Sequence, residues 1–155
     1  MGKEHHYRMK TVWTGNRGTG TSGYREYGRE HELSGEAKSI SIPGSSDPKF
    51  RGDAARYNPE ELFVGSISTC HMLWVLHLCA DKGIVVTSYE DEASGVMVES
   101  ADGGGEVTVV TLRPKPQLAN ADRAAELDEI HHRAHELCFI SRSVKTDVRV
   151  EPSVV

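Results

Sequence analysis

The chain has 155 residues, with 18 basic and 23 acidic side chains and a formal net charge of −5. That is the length of one domain able to bury a real core, and the sequence shows no basic stripe of the kind that nucleic-acid binding needs. Three cysteines, with no apolar run in the opening MGKEHHYRMK, predict a cytoplasmic protein. In that reducing compartment cysteines are more often catalytic or metal-binding than structural cross-links.

Residues 1–6 read as a frayed tail, and residues 7–13 alternate as a half-buried strand does. Residues 16–23 are a glycine-rich turn or loop. They are not a phosphate loop, because no GKS or GKT follows and no helix opens after them. An irregular strand is expected over 24–33 and a clearer one over 37–42. Residues 43–57 form a loop rich in turn formers that carries Arg51 and Arg56.

The next stretch, NPEELFVGSISTCHMLWVLHLCADKG, organises the chain. Asn58, Pro59, Glu60 and Glu61 are helix-start chemistry: a cap, a proline suited to the first turn, and two carboxylates against the positive helix end. Gly83 is a left-handed stop. No charge falls between Leu62 and Ala80, and apolar residues occupy nearly every face, which predicts a helix buried all round. Ser66, Ser68, Thr69, His71 and His77 interrupt it, and its capped start suits a core helix better than a membrane span.

Residues 84–98 read as one long strand, 100–105 as a hairpin turn, and 106–113 as the returning strand, ended by Pro114 and Pro116. Asn120 caps a second helix from 121 to about 138, with Leu127, Ile130, Ala134 and Leu137 on one stripe. Residues 143–150 are the last strand. The pattern predicts a single α+β domain over residues 1–155, with antiparallel sheets packed around two main helices, one of them long, central and buried.

Cys70 lies in the middle of the first helix, so no helix N-terminus lowers its pKa, and a reactive thiolate there needs a cation from elsewhere. Cys138 sits at the end of the second helix, where the negative dipole disfavours a thiolate. That asymmetry suits a pair in which Cys70 attacks and Cys138 resolves. Cys79 is half a turn out of phase with Cys70 and is assigned to packing. For a lone buried cysteine packing is the commoner role. His131 and His132 are expected on the exposed face of the second helix. His71 lies about 100° around from Cys70 and is a poor partner for its sulfur.

The runs NPEELFVGSISTCHML and AHELCFISRSV resemble the OsmC/Ohr-like family of osmotically inducible and organic-hydroperoxide-resistance proteins. The matching residues are Asn58 to Leu62, Cys70 eight residues later, and Ala134-His135-Glu136 followed by Cys138. The resemblance implies an OsmC-like fold and a homodimeric thiol peroxidase that reduces organic hydroperoxides with an external dithiol, such as a lipoyl group, and no bound cofactor. It implies that Cys70 is the peroxidatic and Cys138 the resolving cysteine, joined in a disulfide after turnover. Glu60 is implied as the carboxylate that orients an activating arginine. Arg51 is favoured for that arginine, with Arg56 and Arg25 as alternatives. Glu60 and Cys70 stand about 15 Å apart on one continuous helix, which predicts sites at the interface of a homodimer. Two other classes stay open: a metal-binding protein using Cys70, Cys138 and His135, and a non-catalytic carrier of a hydrophobic ligand. Neither nucleic acid nor membrane is an expected partner.

Overall fold

The computed structural model describes residues 2–153. The chain divides into two compact units, Met1–Pro59 and Glu60–Val155.

The N-terminal unit is built on a three-stranded antiparallel sheet of β1 (Met9–Trp13), β2 (His31–Gly35) and β3 (Ile42–Gly44), in that order. The expected strands over 24–33 and 37–42 are corrected here. Strand structure begins only at His31, and the later one is shifted onto Ile42, Pro43 and Gly44. Residues 24–30 are instead held as a turn by Arg29, which stacks 4.0 Å from the Tyr27 ring centre and donates to the carbonyls of Tyr24 and Tyr27. Gly15 is required where the chain returns, because a Cβ there would lie 2.1 Å from the Gly28 carbonyl oxygen. Trp13 closes the same turn with an indole N–H bond of 2.8 Å to that oxygen. A short 3-10 turn, Pro48–Phe50, precedes Arg51, whose backbone is left-handed at φ 65°.

The C-terminal unit holds all three cysteines. Helix α1 (Pro59–Asp81) runs unbroken for 23 residues. Gly83, at φ +68°, ends it, and the Ile84 N–H returns to the Cys79 carbonyl at 2.8 Å. This left-handed stop is the one its sequence predicts. Only Ile67, His71, Val75 and Cys79, spaced every four residues, are fully buried, whereas Leu73 is 62 % exposed. The expectation of a helix buried all round is therefore corrected for the single chain: one stripe meets the core and the opposite apolar face does not. By length and composition α1 could cross a membrane. It is nonetheless tied to its own unit through polar groups, including a 2.6 Å bond from the Ser68 hydroxyl to Asp91.

After α1 the sequence predicts one long strand, but there are two, β4 (Val86–Asp91) and β5 (Ser94–Glu99). The break comes just after Asp91, whose carboxylate accepts the Ser68 hydroxyl and the Arg113 backbone N–H, so the chain turns between two sheets. Strand β5 pairs with β6 (Gly105–Leu112) through the expected hairpin. Pro114 and Pro116 do not end strand structure as expected. They lie in β7 (Pro114–Leu118), paired with β4. Two residues apart, they point their missing N–H groups to the same strand edge, and a two-stranded sheet tolerates that. The second helical segment begins as a 3-10 turn, Ala121–Glu126, and becomes α2 only at Leu127–Leu137. The last strand, β8 (Asp147–Val150), is shorter than expected and parallel to β6, so one pairing departs from the antiparallel plan.

Two apolar clusters hold this unit. Val75 and Cys79 of α1 pack with Ile84 and with Ile130 and Ala134 of α2. Ile67 packs with Val110 and Leu112 of β6. Full burial of one such aliphatic side chain stabilises by about 1.5–3 kcal/mol.

Candidate active site

Helix α2 ends at Leu137, and Cys138 leaves it with extended backbone while its N–H still bonds the Ala134 carbonyl. Two side-chain contacts fix the turn. Phe139 meets Trp74 of α1 edge to face at 5.6 Å, and Ile140 packs on the Ile67 cluster. These contacts lay the segment 138–140 across the middle of α1, where Cys70 sits.

Cys70 is half-buried and Cys138 fully buried, and both are free thiols. Cys138 and the backbone of Ile140 and Phe139 lie close enough to Cys70 to shift the titration of its thiol. The Ser141 N–H donates to the Cys138 sulfur at 3.4 Å. Burial pushes the Cys70 thiol above its ordinary value, and the neighbouring Cys138 thiol adds to this; the backbone of Ile140 and Phe139 pulls the other way. This backbone influence was not legible in the sequence. Residues just past a helix end have N–H groups with no helical partner, and only the tertiary turn brings them near the sulfur.

Cys79 is fully buried among Val75, Ile84, Ile130 and Ala134, as its phase predicts. Beside Cys70 lies an open depression of about 400 Å³, lined by Cys70, Leu73, Trp74, His77 and Phe139. Leu73, Trp74 and His77 follow Cys70 at three, four and seven residues, so one helical stripe forms most of its wall.

Glu60 lies half-buried in the first turn of α1, and the unbroken helix keeps it about 15 Å from Cys70 along the axis. The structure therefore does not bring these two together within one chain. The three candidate arginines belong to the N-terminal unit. Arg56 is occupied there, paired with Glu32 at 3.1 Å and bonded to the His31 carbonyl at 3.2 Å. Arg51 and Arg25 are exposed and make no ion pair among the described residues.

The histidines bring a correction. His131 is buried, at 3 % exposure, and not on the exposed face. Its Nδ1 and the Nε2 of fully buried His71 are joined by a 3.0 Å hydrogen bond, and the ring centres lie 5.3 Å apart with planes 8° from parallel, which sets the rings edge to edge along that bond. His132 is exposed as expected. Among the described residues no group of three His, Cys, Asp or Glu side chains is placed to hold a metal ion.

Comparison with known proteins agrees with this architecture. A solved OsmC-like protein of unknown function from Vibrio cholerae is 31 % identical and superposes with a TM-score of 0.86, over 97 % of this chain and all of that one. The uncharacterised protein YmaD of Bacillus subtilis is 27 % identical over 152 residues, 96 % of this chain and 92 % of YmaD. An organic hydroperoxide resistance protein of Legionella pneumophila shares the fold at 16 % identity and TM-score 0.69, covering 99 % of this chain and 98 % of that one. The family model for OsmC-like protein matches residues 52–153. That span contains both Cys70 and Cys138, and the chain belongs to the OsmC-like protein family.

Proposed function

We propose that this protein is a dithiol-dependent peroxidase that reduces organic hydroperoxides to alcohols in oxidative stress defence. The observation that carries the reading is the meeting of Cys70 and Cys138, from two separate helices, beside an apolar depression. In this mechanism the Cys70 thiolate attacks the outer peroxide oxygen. The O–O bond breaks, the alkoxide takes a proton and leaves as alcohol, and Cys70 becomes a sulfenic acid. The Cys138 thiolate then attacks the Cys70 sulfur and displaces hydroxide, which leaves as water, forming the disulfide. An external dithiol, lipoyl-type in this reading, reduces that bond by exchange.

The Phe139 and Ile140 N–H groups would steady the Cys70 thiolate, but burial outweighs them. A cation is the missing part, and in this reading Arg51, oriented by Glu60, supplies it. Arg56 is the poorer candidate because Glu32 already neutralises it. The functional form is a homodimer with the sites at its interface, in the cytoplasm.

The test is a consumption assay with fully reduced protein, cumene hydroperoxide and dihydrolipoamide. We expect turnover, preference over hydrogen peroxide, and complete loss in Cys70→Ser. An unchanged peroxide concentration with wild-type protein would refute the catalytic reading.

A further inference from the structure

Cys138 meets Cys70 only if α2 keeps one rotation and one axial position against α1. The apolar contacts between the helices, Val75 and Cys79 with Ile130 and Ala134, are non-directional and set closeness more than register. Beside the exposed Lys82–Glu129 ion pair at the helix end and the Trp74–Phe139 edge contact beyond α2, one buried side-chain hydrogen bond joins α1 and α2 among the described residues. His71, the residue after Cys70, reaches His131 of α2, and Cys138 lies two turns beyond His131 on the same helix face.

The arrangement is a costly one. A lone hydrogen bond joins two buried rings, while His71 Nδ1 and His131 Nε2 are enclosed with no protein partner among the described residues. Whichever ring donates, one N–H and one lone pair stay unmatched, and such groups destabilise a fold that apolar side chains of similar size would satisfy. Both rings are held neutral: burial pushes His71 down to about 3, helped by His131 and His135, and burial also lowers His131 against the opposing pull of Asp128 and Asp91. Two uncharged rings can share that hydrogen bond, whereas two cations would have no lone pair to accept it and would repel.

We infer that His71 and His131 are positioning residues, a tether that fixes the register of α2 on α1 and so sets the rate at which Cys138 closes on Cys70 sulfenic acid. The inference rests on the peroxidase reading. The step it governs forms the Cys70–Cys138 S–S bond, breaks the S–O bond of the sulfenic acid, and releases water. Formation of that sulfenic acid needs Cys70 and the hydroperoxide but not Cys138, so the tether leaves it unaffected.

The experiment tracks reduced protein after one equivalent of cumene hydroperoxide, with acid quench, sulfenic-acid trapping and disulfide mapping. His131→Phe keeps ring and volume but loses the hydrogen bond; His131→Gln keeps a donor and an acceptor. We expect His131→Phe to oxidise at Cys70 within about threefold of wild type. Its disulfide should form at least tenfold more slowly, sulfenic acid should accumulate, and the melting temperature should be no lower. His131→Gln should recover most of the closure rate. Wild-type closure in His131→Phe, or equal slowing in Phe and Gln, would overturn the tether, as would slowing of both steps with a lowered melting temperature. Where His131→Phe does not fold, His71→Phe against His71→Gln makes the same comparison, and failure of every Phe variant to fold would make the pair a folding determinant and overturn the inference. Wild-type protein that forms no sulfenic acid at all refutes the peroxidase reading instead.

Discussion

At the scale of single residues, the three cysteines separate by environment. Cys70 borders an open apolar depression, and the nearby backbone of Ile140 and Phe139 favours its thiolate. Cys138 is enclosed beside it, and Cys79 sits in the core cluster between the helices, where burial pushes its thiol up. One equivalent of organic hydroperoxide should therefore link Cys70 to Cys138 within one chain and leave Cys79 as a thiol, as read by peptide mapping. Discovery of Cys79 in the bond would contradict this assignment. In Cys138→Ser, oxidation should stop at Cys70 sulfenic acid and proceed with excess peroxide to sulfinic acid. A mass shift of one oxygen and then two reads that sequence; a stable disulfide in this variant would rule it out.

At the scale of elements, the histidine pair couples α1 to α2 and also to pH. An unfolded histidine titrates near about 6.5, whereas His71 in the fold is pushed down to about 3 by burial, then by His131 and His135. Below the unfolded value the unfolded chain takes a proton that the native chain refuses. Stability is thus whole above that value and falls as the pH drops toward the folded one. One such group removes on the order of 2 kcal/mol by pH 5. His131, also lowered, acts in the same direction, with Asp91 of β4 and Asp128 of α2 moderating it. Urea denaturation at pH 7.5 and pH 5 should show the loss, and His71→Leu should reduce the slope. Equal stability at both pH values in wild type would contradict the neutral buried pair.

At the scale of the whole molecule, the exposed apolar surface argues for a partner copy. Leu73 and Phe139 are 62 % and 68 % exposed in the C-terminal unit, and β1 presents Met9, Val12 and Trp13 to solvent in the other. Surface of this kind marks association sites. The unbroken α1 separates Glu60 and Cys70 by about 15 Å along the axis and about 80° around it. In the proposed two-fold dimer, Glu60 of one chain would serve Cys70 of the other. Inactive Cys70→Ser chains mixed with inactive Glu60→Ala chains should regain activity after subunit exchange, since each heterodimer holds one intact site. Proven exchange with no recovery would mean that each chain completes its own site.

Much of this was legible along the chain because it rests on local chemistry. Proline and carboxylates opened α1 and Gly83 closed it, and helical phase turned Cys79 away from Cys70. The motif around Cys70 and Cys138 carried the family, which residues 52–153 bear out. What sequence could not decide are the relations between distant segments. Whether residues 84–98 make one strand or two depended on Asp91 finding Ser68 and Arg113, and prolines that read as a stop fitted a free strand edge. His131 looked like a surface residue, since periodicity ranks imidazole with polar side chains; only the docking of α2 gave it His71 as a partner and made burial tolerable. The donors at Cys70 carry no residue signature at all, because every backbone has an N–H. The fold alone decides which of them come near the sulfur.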